Sequence, residues 1–234
     1  MSGTGRPLLC LGGTLCDARV FAPLLARLAR PAIFWSHNDH DRVAAAATAL
    51  LQAVPDEFVA LGFSLGGFVA LDALRMAPGR VVGVILLSGN AFPDDPANAD
   101  LRRAEVAAGR AEGLRVWMEG RGAALVSPSC PAPDDVVDLI ADMAEAAGHD
   151  VHGRQAEMNI HRPDLRAVVN ASGRPLLALA GMDDRVCPRQ RYLDLQHASN
   201  ATLRMIADAG HFLPLEAPTA CGDAIETFLK EHDL

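Results

Sequence analysis

The chain has 234 residues, half of them hydrophobic, with few aromatics and a formal net charge of −8. That length and apolar content support one sizeable domain with room for an inserted lobe, and the acidic balance argues against a nucleic-acid or anionic-membrane partner, both of which want a basic face. Five cysteines at irregular spacing, with no CxxC pair, point to reduced thiols rather than a disulfide framework.

Residues 7–11 are a short apolar run ending in Gly12-Gly13, a strand and then a tight turn. Residues 18–30 carry Val20, Phe21, Leu24, Leu25 and Leu28 at helical spacing. A second strand is expected over 32–35, then an alanine-rich helix over 42–54 stopped by Pro55. The third strand is 57–62, and the helix behind it 65–77. Residues 81–87 are almost wholly aliphatic, as a parallel strand buried on both faces should be. From about 90 to 170 the patterns are helical and no strand is convincing; Val136, Val137, Leu139, Ile140 and Met143 share one stripe. Alternation resumes with a strand at 175–180, a helix near 189–197, a strand at 201–206 and a last helix over 217–230. The N-terminal apolar run is too short for a signal peptide, and no run approaches the ~18–20 residues of a membrane span. A soluble cytoplasmic protein is the expectation.

Strands alternating with helices imply right-handed crossovers and a mostly parallel sheet, about six strands, covered on both faces. The helical middle reads as an insertion. The expected division is a core of residues 1–89 and 171–234 with an inserted lobe of 90–170. Ligands of such sheets bind beyond the carboxyl ends of the strands, so chemistry is sought in the loops that follow them.

The loop after the third strand reads GFSLGG and holds Ser64 between Gly62 and Gly66. A serine on a sharp strand-to-helix turn projects its hydroxyl away from the sheet, toward the free amides of the next helix. The bland alternative is a serine capping a helix after a glycine turn. A serine of ordinary pKa needs a base, and the base needs an orienting acid. His211, after the last strand, stands where the mechanism demands the base. Asp183 and Asp184, after the next-to-last strand, each qualify as the acid, and one of them is expected only to serve a turn. The order Ser, Asp, His suits this architecture. The Gly12-Gly13-Thr14 turn places Thr14 N–H, with Leu65 N–H, as candidate oxyanion donors.

With these residues in place the chain resembles the α/β-hydrolase superfamily, in particular its small esterase-like members with a helical cap, of the carboxylesterase, pimeloyl carrier-protein methyl esterase and enol-lactonase types. The likeness runs through LGGTLCDARVFAPL, GFSLGGFVALDALRMAPGRVVGVILLSG, GMDDRVCP and AGHFLPLEAP. It implies Ser64 as nucleophile, His211 as base, Asp184 as orienting acid, Thr14 and Leu65 as oxyanion donors, and 90–170 as a cap. Asp184 is the matching aspartate, three residues after Gly181 and four before Pro188. The implied reaction is hydrolysis of a carboxylic ester or similar small acyl substrate, with no cofactor and no metal. Lactone hydrolysis, C–C or cyanohydrin cleavage, perhydrolysis and a slow-turnover receptor remain open on the same site. Gly12-Gly13 departs from the His-Gly pair of many relatives, and the usual opening antiparallel strands are absent.

Other signals carry less. His37, Asp39, His40 and Asp41 are metal-ligand types, but the bland reading is a polar loop in which Asp39 or Asp41 caps the next helix. Arg102, Arg103, Arg110, Arg115 and Arg121 alternate with acids and read as a solvated helix face with i,i+4 pairs. Docking of a carrier protein on that face is therefore not favoured. Trp117, Met118, Met143 and Met158 are candidates to line a substrate pocket, although packing in the cap core is the commoner fate of such residues, and Phe212 is a further candidate substrate contact. His149, His152 and His161 read as exposed or structural. The sequence leaves oligomeric state open.

Overall fold

The computed structural model describes residues 6–28, 30–54 and 56–234. The expected stop at Pro55, Ala29 of the expected 18–30 helix, and the residues before Arg6 lie outside the described residues. Strands β1 (Leu8–Leu11), β2 (Ala32–Trp35), β3 (Phe58–Phe63), β4 (Val81–Leu87), β5 (Leu176–Gly181) and β6 (Ala201–Ile206) form one six-stranded sheet. Its order is β2-β1-β3-β4-β5-β6 and every adjacent pair is parallel. The chain steps outward from β1 to β2 and then returns to the other side of β1. The strand order therefore reverses between β1 and β3, where Leu11 pairs with Gly62. A crevice opens beyond the carboxyl ends of strands at such a point.

Alternate strand residues feed two separate cores. Leu8, Cys10, Val59, Leu61, Ile85, Leu87, Leu177 and Leu179 face one way. There they meet a 3₁₀ turn at Ala18–Phe21, α1 (Ala22–Leu25) and the last helix of the chain. Leu9, Leu11, Phe58, Ala60, Val84, Leu86, Leu176 and Ala178 face the other way, onto α2 (Val43–Ala53) and α3 (Leu65–Met76). Burial on both faces is why β3, β4 and β5 read as continuous apolar runs.

Two local expectations are corrected. The 18–30 region is not one helix. Asp17 caps the 3₁₀ turn by accepting from Arg19 N–H, and Pro23, which lacks an amide hydrogen, opens α1 as a separate short piece. At α2 the N-cap is Arg42, with no side-chain cap bond, so neither Asp39 nor Asp41 plays that part.

Between β4 and β5 the described chain is helical: α4 (Ala99–Glu112), α5 (Leu114–Glu119), α6 (Gly122–Leu125), α7 (Pro133–Ala147), α8 (His149–Ile160) and α9 (Arg166–Ala171). Gly113 and Gly148, at φ 86° and 84°, end α4 and α7 in a backbone conformation that L side chains resist. The arginines of this segment pair mostly between helices rather than along one. Arg103 meets Glu157, Arg121 meets Glu105, and Arg115 meets Asp138 and Asp142 as well as Glu119. The chain closes with α10 (Arg189–Leu193), α11 (Leu213–Glu216) and α12 (Pro218–Glu231). No helix among the described residues is long and apolar enough to cross a membrane.

Candidate active site

Ser64 joins β3 to α3 at φ 50° and ψ −114°, a strained conformation for a residue with a Cβ. The flanking glycines make that turn sterically feasible. A Cβ at Gly66 would lie 2.2 Å from the Leu11 carbonyl oxygen, and one at Gly62 would lie 2.6 Å from the Gly67 amide nitrogen. The turn is pressed against the end of β1, so backbone occupies the space a side chain would need. Ser64 Oγ is thereby held at the amino end of α3.

His211 follows β6 and is 5 % exposed. Its Nε2 lies 3.0 Å from Ser64 Oγ, and its Nδ1 lies 2.9 Å from Asp184 Oδ2. The ring leans on Phe63 at 5.5 Å between centroids. Asp184 is well held. Oδ2 also accepts from the Tyr192 hydroxyl at 2.6 Å, and Oδ1 accepts from Val186 N–H at 2.8 Å and Cys187 N–H at 3.1 Å. Burial alone would raise its pKa; His211 and these donors outweigh burial and hold the carboxyl below the usual aspartate value. Asp183 turns elsewhere and accepts from Ser127 Oγ at 2.5 Å. Of the two aspartates left open by the sequence, Asp184 is the one that meets His211.

The loop carrying His211 is tied to the helical segment. His211 N–H donates to Leu125 O at 2.9 Å. Glu216 Oε2 accepts from Ser127 N–H at 2.7 Å and from Gly210 N–H at 2.8 Å. Burial pushes the Glu216 carboxyl above its usual value in spite of those two amides.

The turn after β1 faces Ser64. Among the described residues neither Thr14 N–H nor Leu65 N–H donates to a protein acceptor, and both residues line the cavity in front of Ser64. The turn is braced from two sides. His37, buried, donates Nε2–H to Gly12 O at 2.8 Å, so it serves the backbone of the turn. Leu15, at φ 58°, donates N–H to Gln155 Oε1 at 2.7 Å, and Asn159 Nδ2 reaches Thr14 Oγ1 at 3.3 Å. Both amide side chains come from α8.

The cavity measures about 310 Å³ and takes walls from the sheet loops and from α4, α5, α6 and α8. Trp117, Met118 and Phe212 are on its wall, as the sequence suggested. Met143 is not: it is 1 % exposed on the apolar stripe of α7 and packs in the core. Met158 is likewise buried in the core below α3. Of the two readings left for His152, exposed or structural, the first does not hold: it is buried. It lines the cavity, meets the Trp117 ring at a tilt with 4.7 Å between centroids, and burial together with nearby Arg121 pulls its pKa down to about 4. Sequence reasoning also missed Tyr192, Gln155, Ser88, Asp94 and Arg162. Gln155, Asp94 and Arg162 come from the helical segment, far along the chain from the residues they meet, while Tyr192 stands only eight residues after Asp184 and Ser88 directly follows β4.

Comparison with known proteins agrees with this architecture. A thermophilic esterase from Thermogutta terrifontis, solved with malate bound, superposes with a TM-score of 0.87 at 24% identity, covering 100% of this chain and 92% of that one. The enol-lactonase from Burkholderia xenovorans LB400 gives 0.86 at 17% identity, over 97% of this chain and 92% of that one. At such identities the likeness is one of fold. In sequence, the pimeloyl-[acyl-carrier protein] methyl ester esterase of Methylococcus capsulatus is 29% identical over 147 residues, which span 61% of this chain and 58% of that protein. A family model described as the alpha/beta hydrolase family matches residues 6–224, nearly the whole length, and the chain belongs to that family.

Proposed function

We propose that the chain is a serine hydrolase that cleaves a carboxylic ester or a related small acyl substrate through an acyl-enzyme. The observation that carries the reading is the imidazole of His211, set between Ser64 Oγ at 3.0 Å and Asp184 Oδ2 at 2.9 Å. Ser64 Oγ attacks the carbonyl carbon while His211 Nε2 takes its proton. Asp184, ionised and fully hydrogen-bonded, fixes the tautomer with the proton on Nδ1 and stabilises the imidazolium. The free amides of Thr14 and Leu65 receive the developing oxyanion. His211 then returns its proton to the leaving alkoxide, and on the second pass draws one from water to release the acid. Residues 90–170 act as a cap over the pocket, on a core of 1–89 and 171–234, because helices of that segment supply the wall opposite Ser64.

Relatives act on esters, on lactones and, in the pimeloyl case, on an ester attached to a carrier protein. A small free substrate fits this chain better than a carrier-bound one. The cap arginines Arg103, Arg115 and Arg121 are committed to acids of neighbouring helices and leave no basic face for an acidic carrier.

The test is turnover of p-nitrophenyl esters of graded chain length. Ser64→Ala should abolish it, and Asp184→Asn should lower kcat by about 10⁴-fold. Asp183→Asn should leave kcat within a few-fold of the parent. Equal hydrolysis by Ser64→Ala and wild type would end the reading.

A further inference from the structure

The cavity in front of Ser64 has a charged corner that the hydrolytic scheme does not use. Asp94, in the segment after β4, has a side chain only 2 % exposed. Arg162, just after α8, donates Nη2–H to Asp94 Oδ1 at 3.0 Å, Nη1–H to Asn159 Oδ1 at 3.1 Å and Nε–H to Phe92 O at 3.2 Å. Its side chain is 8 % exposed and lies over the Phe68 ring at 4.9 Å. Arg102 of α4 donates to the other Asp94 oxygen. Arg191 of α10 lies 5.7 Å from the Phe92 ring and makes no ion pair among the described residues. All four residues line the same cavity as Ser64.

Two guanidinium groups thus share one carboxylate, and a third, Arg191, lines the same cavity with no carboxylate of its own among the described residues. Asp94 brings no further relief: burial favours its neutral form, but Arg102 and Arg162 outweigh burial and hold it ionised. Burial, with Arg102 and Arg191 as neighbours, pulls Arg162 down to about 10 against the opposing pull of Asp94, which leaves it charged at neutral pH. Arg121, farther along the wall, is already matched by Glu105 at 2.8 Å. A surplus of positive charge in a partly desolvated place is costly unless an anion meets it.

A second, independent feature points the same way. Ser88, at the end of β4, is 2 % exposed, sits at φ 49° and also lines this cavity. Its Oγ has no hydrogen-bond partner among the described residues. Buried hydroxyls are normally satisfied, so an orphan one on a cavity wall is a donor awaiting an acceptor.

We infer that this corner holds a carboxylate of the substrate, and that the ester cleaved is a half-ester of a small dicarboxylic acid. The inference rests on the reading of Ser64 as nucleophile and adds the substrate class. The free carboxylate takes hydrogen bonds from Arg162, Arg191 and Ser88, and its ester end reaches Ser64. Planar guanidinium forks suit a carboxylate. A cavity of about 310 Å³ is at the small end of ligand sites, which run ~300–1,000 Å³.

The test is calorimetric binding to the Ser64→Ala protein, which holds substrate without consuming it. Monomethyl glutarate is compared with its terminal carboxamide, the same shape without the charge. The carboxylate should bind at least tenfold tighter. Adding Arg191→Gln should bring the ratio close to one; Arg191 is half-buried and its replacement should leave the fold intact, which circular dichroism checks. Equal affinities, no binding of either compound, or a preference that survives Arg191→Gln would each overturn the inference. Turnover of p-nitrophenyl butyrate by wild type decides the parent reading separately.

Discussion

The hydroxyl of Tyr192 shares Asp184 Oδ2 with His211 and is 2.6 Å from it. A hydrogen bond to a charged group is worth ~1.5–3 kcal/mol, so this phenol, after His211 itself, helps keep Asp184 ionised in a buried place. Asp184 has its folded-state pKa below the ordinary 3.8. Its contribution to stability is therefore complete above that value and disappears as pH falls through the folded value. Tyr192→Phe removes one donor and lets burial raise the folded value. The variant should be less stable at neutral pH by ~1–3 kcal/mol, and its acid-unfolding limb should move to higher pH. Denaturant melts at pH values on either side of 3.8 measure both. Melts that superpose on wild type at every pH would mean that the phenol does not support the carboxylate.

At the scale of elements, α8 decides the shape of the turn opposite Ser64. Gln155 is fully buried, accepts from Leu15 N–H at 2.7 Å and donates Nε2–H to Asn38 Oδ1 at 3.0 Å. Leu15 stands at positive φ, and the acceptor from α8 helps hold it there. Gln155→Leu leaves that amide buried and unmet, at a cost of ~1–3 kcal/mol. Because the neighbouring Thr14 amide is the proposed oxyanion donor, kcat on esters should fall at least tenfold with KM changed much less. A loss confined to stability would make Gln155 a merely structural residue. The same helix shows where reading the sequence stops. Strands were legible because each is a short apolar run bounded by glycine, proline or polar residues, and Ser64, His211 and the pair Asp183-Asp184 stood out because each follows such a run, the choice of Asp184 coming from the family resemblance. The helix α8 reads HDVHGRQAEMNI and buries His152, Gln155 and Asn159 among its apolar positions. Their partners are on the turn after β1 and in the cavity, more than a hundred residues away in the chain for the turn contacts. Periodicity marks a buried face as apolar and is silent about a polar one. Met143 shows the converse: an apolar residue marked for the pocket sits instead where the α7 stripe meets the core.

For the whole molecule, the core on one side of the sheet takes in Cys10, Cys16, Cys130 and Cys221, while Cys187 packs in a small separate cluster with Ala180 and Tyr192. All five cysteines are free and buried. Burial pushes Cys10, Cys16 and Cys221 up to about 12, which leaves almost no thiolate at neutral pH. Cys187 is also raised by burial but lines the cavity. In the native protein only Cys187 and Cys130, the two most exposed of the five, should react with Ellman's reagent, and slowly; in denaturant all five should react. Rapid titration of several thiols without denaturant would show that the sheet does not seal its faces as described.

The bonds that Leu125, Ser127 and Glu216 make across to the His211 loop also bear on chimaeras within this family. The natural unit of exchange in such a chimaera is the helical segment between β4 and β5, with the rest left in place. Here crossovers at the ends of β4 and β5 would import a foreign partner for His211 N–H, for Glu216 and for Asp183 in one stroke. A donor lobe lacking a carbonyl and a serine in register with Leu125 and Ser127 would leave the His211 loop loose. Crossovers that keep residues 122–130 native would alter the ceiling of the pocket and spare its hinge to the sheet.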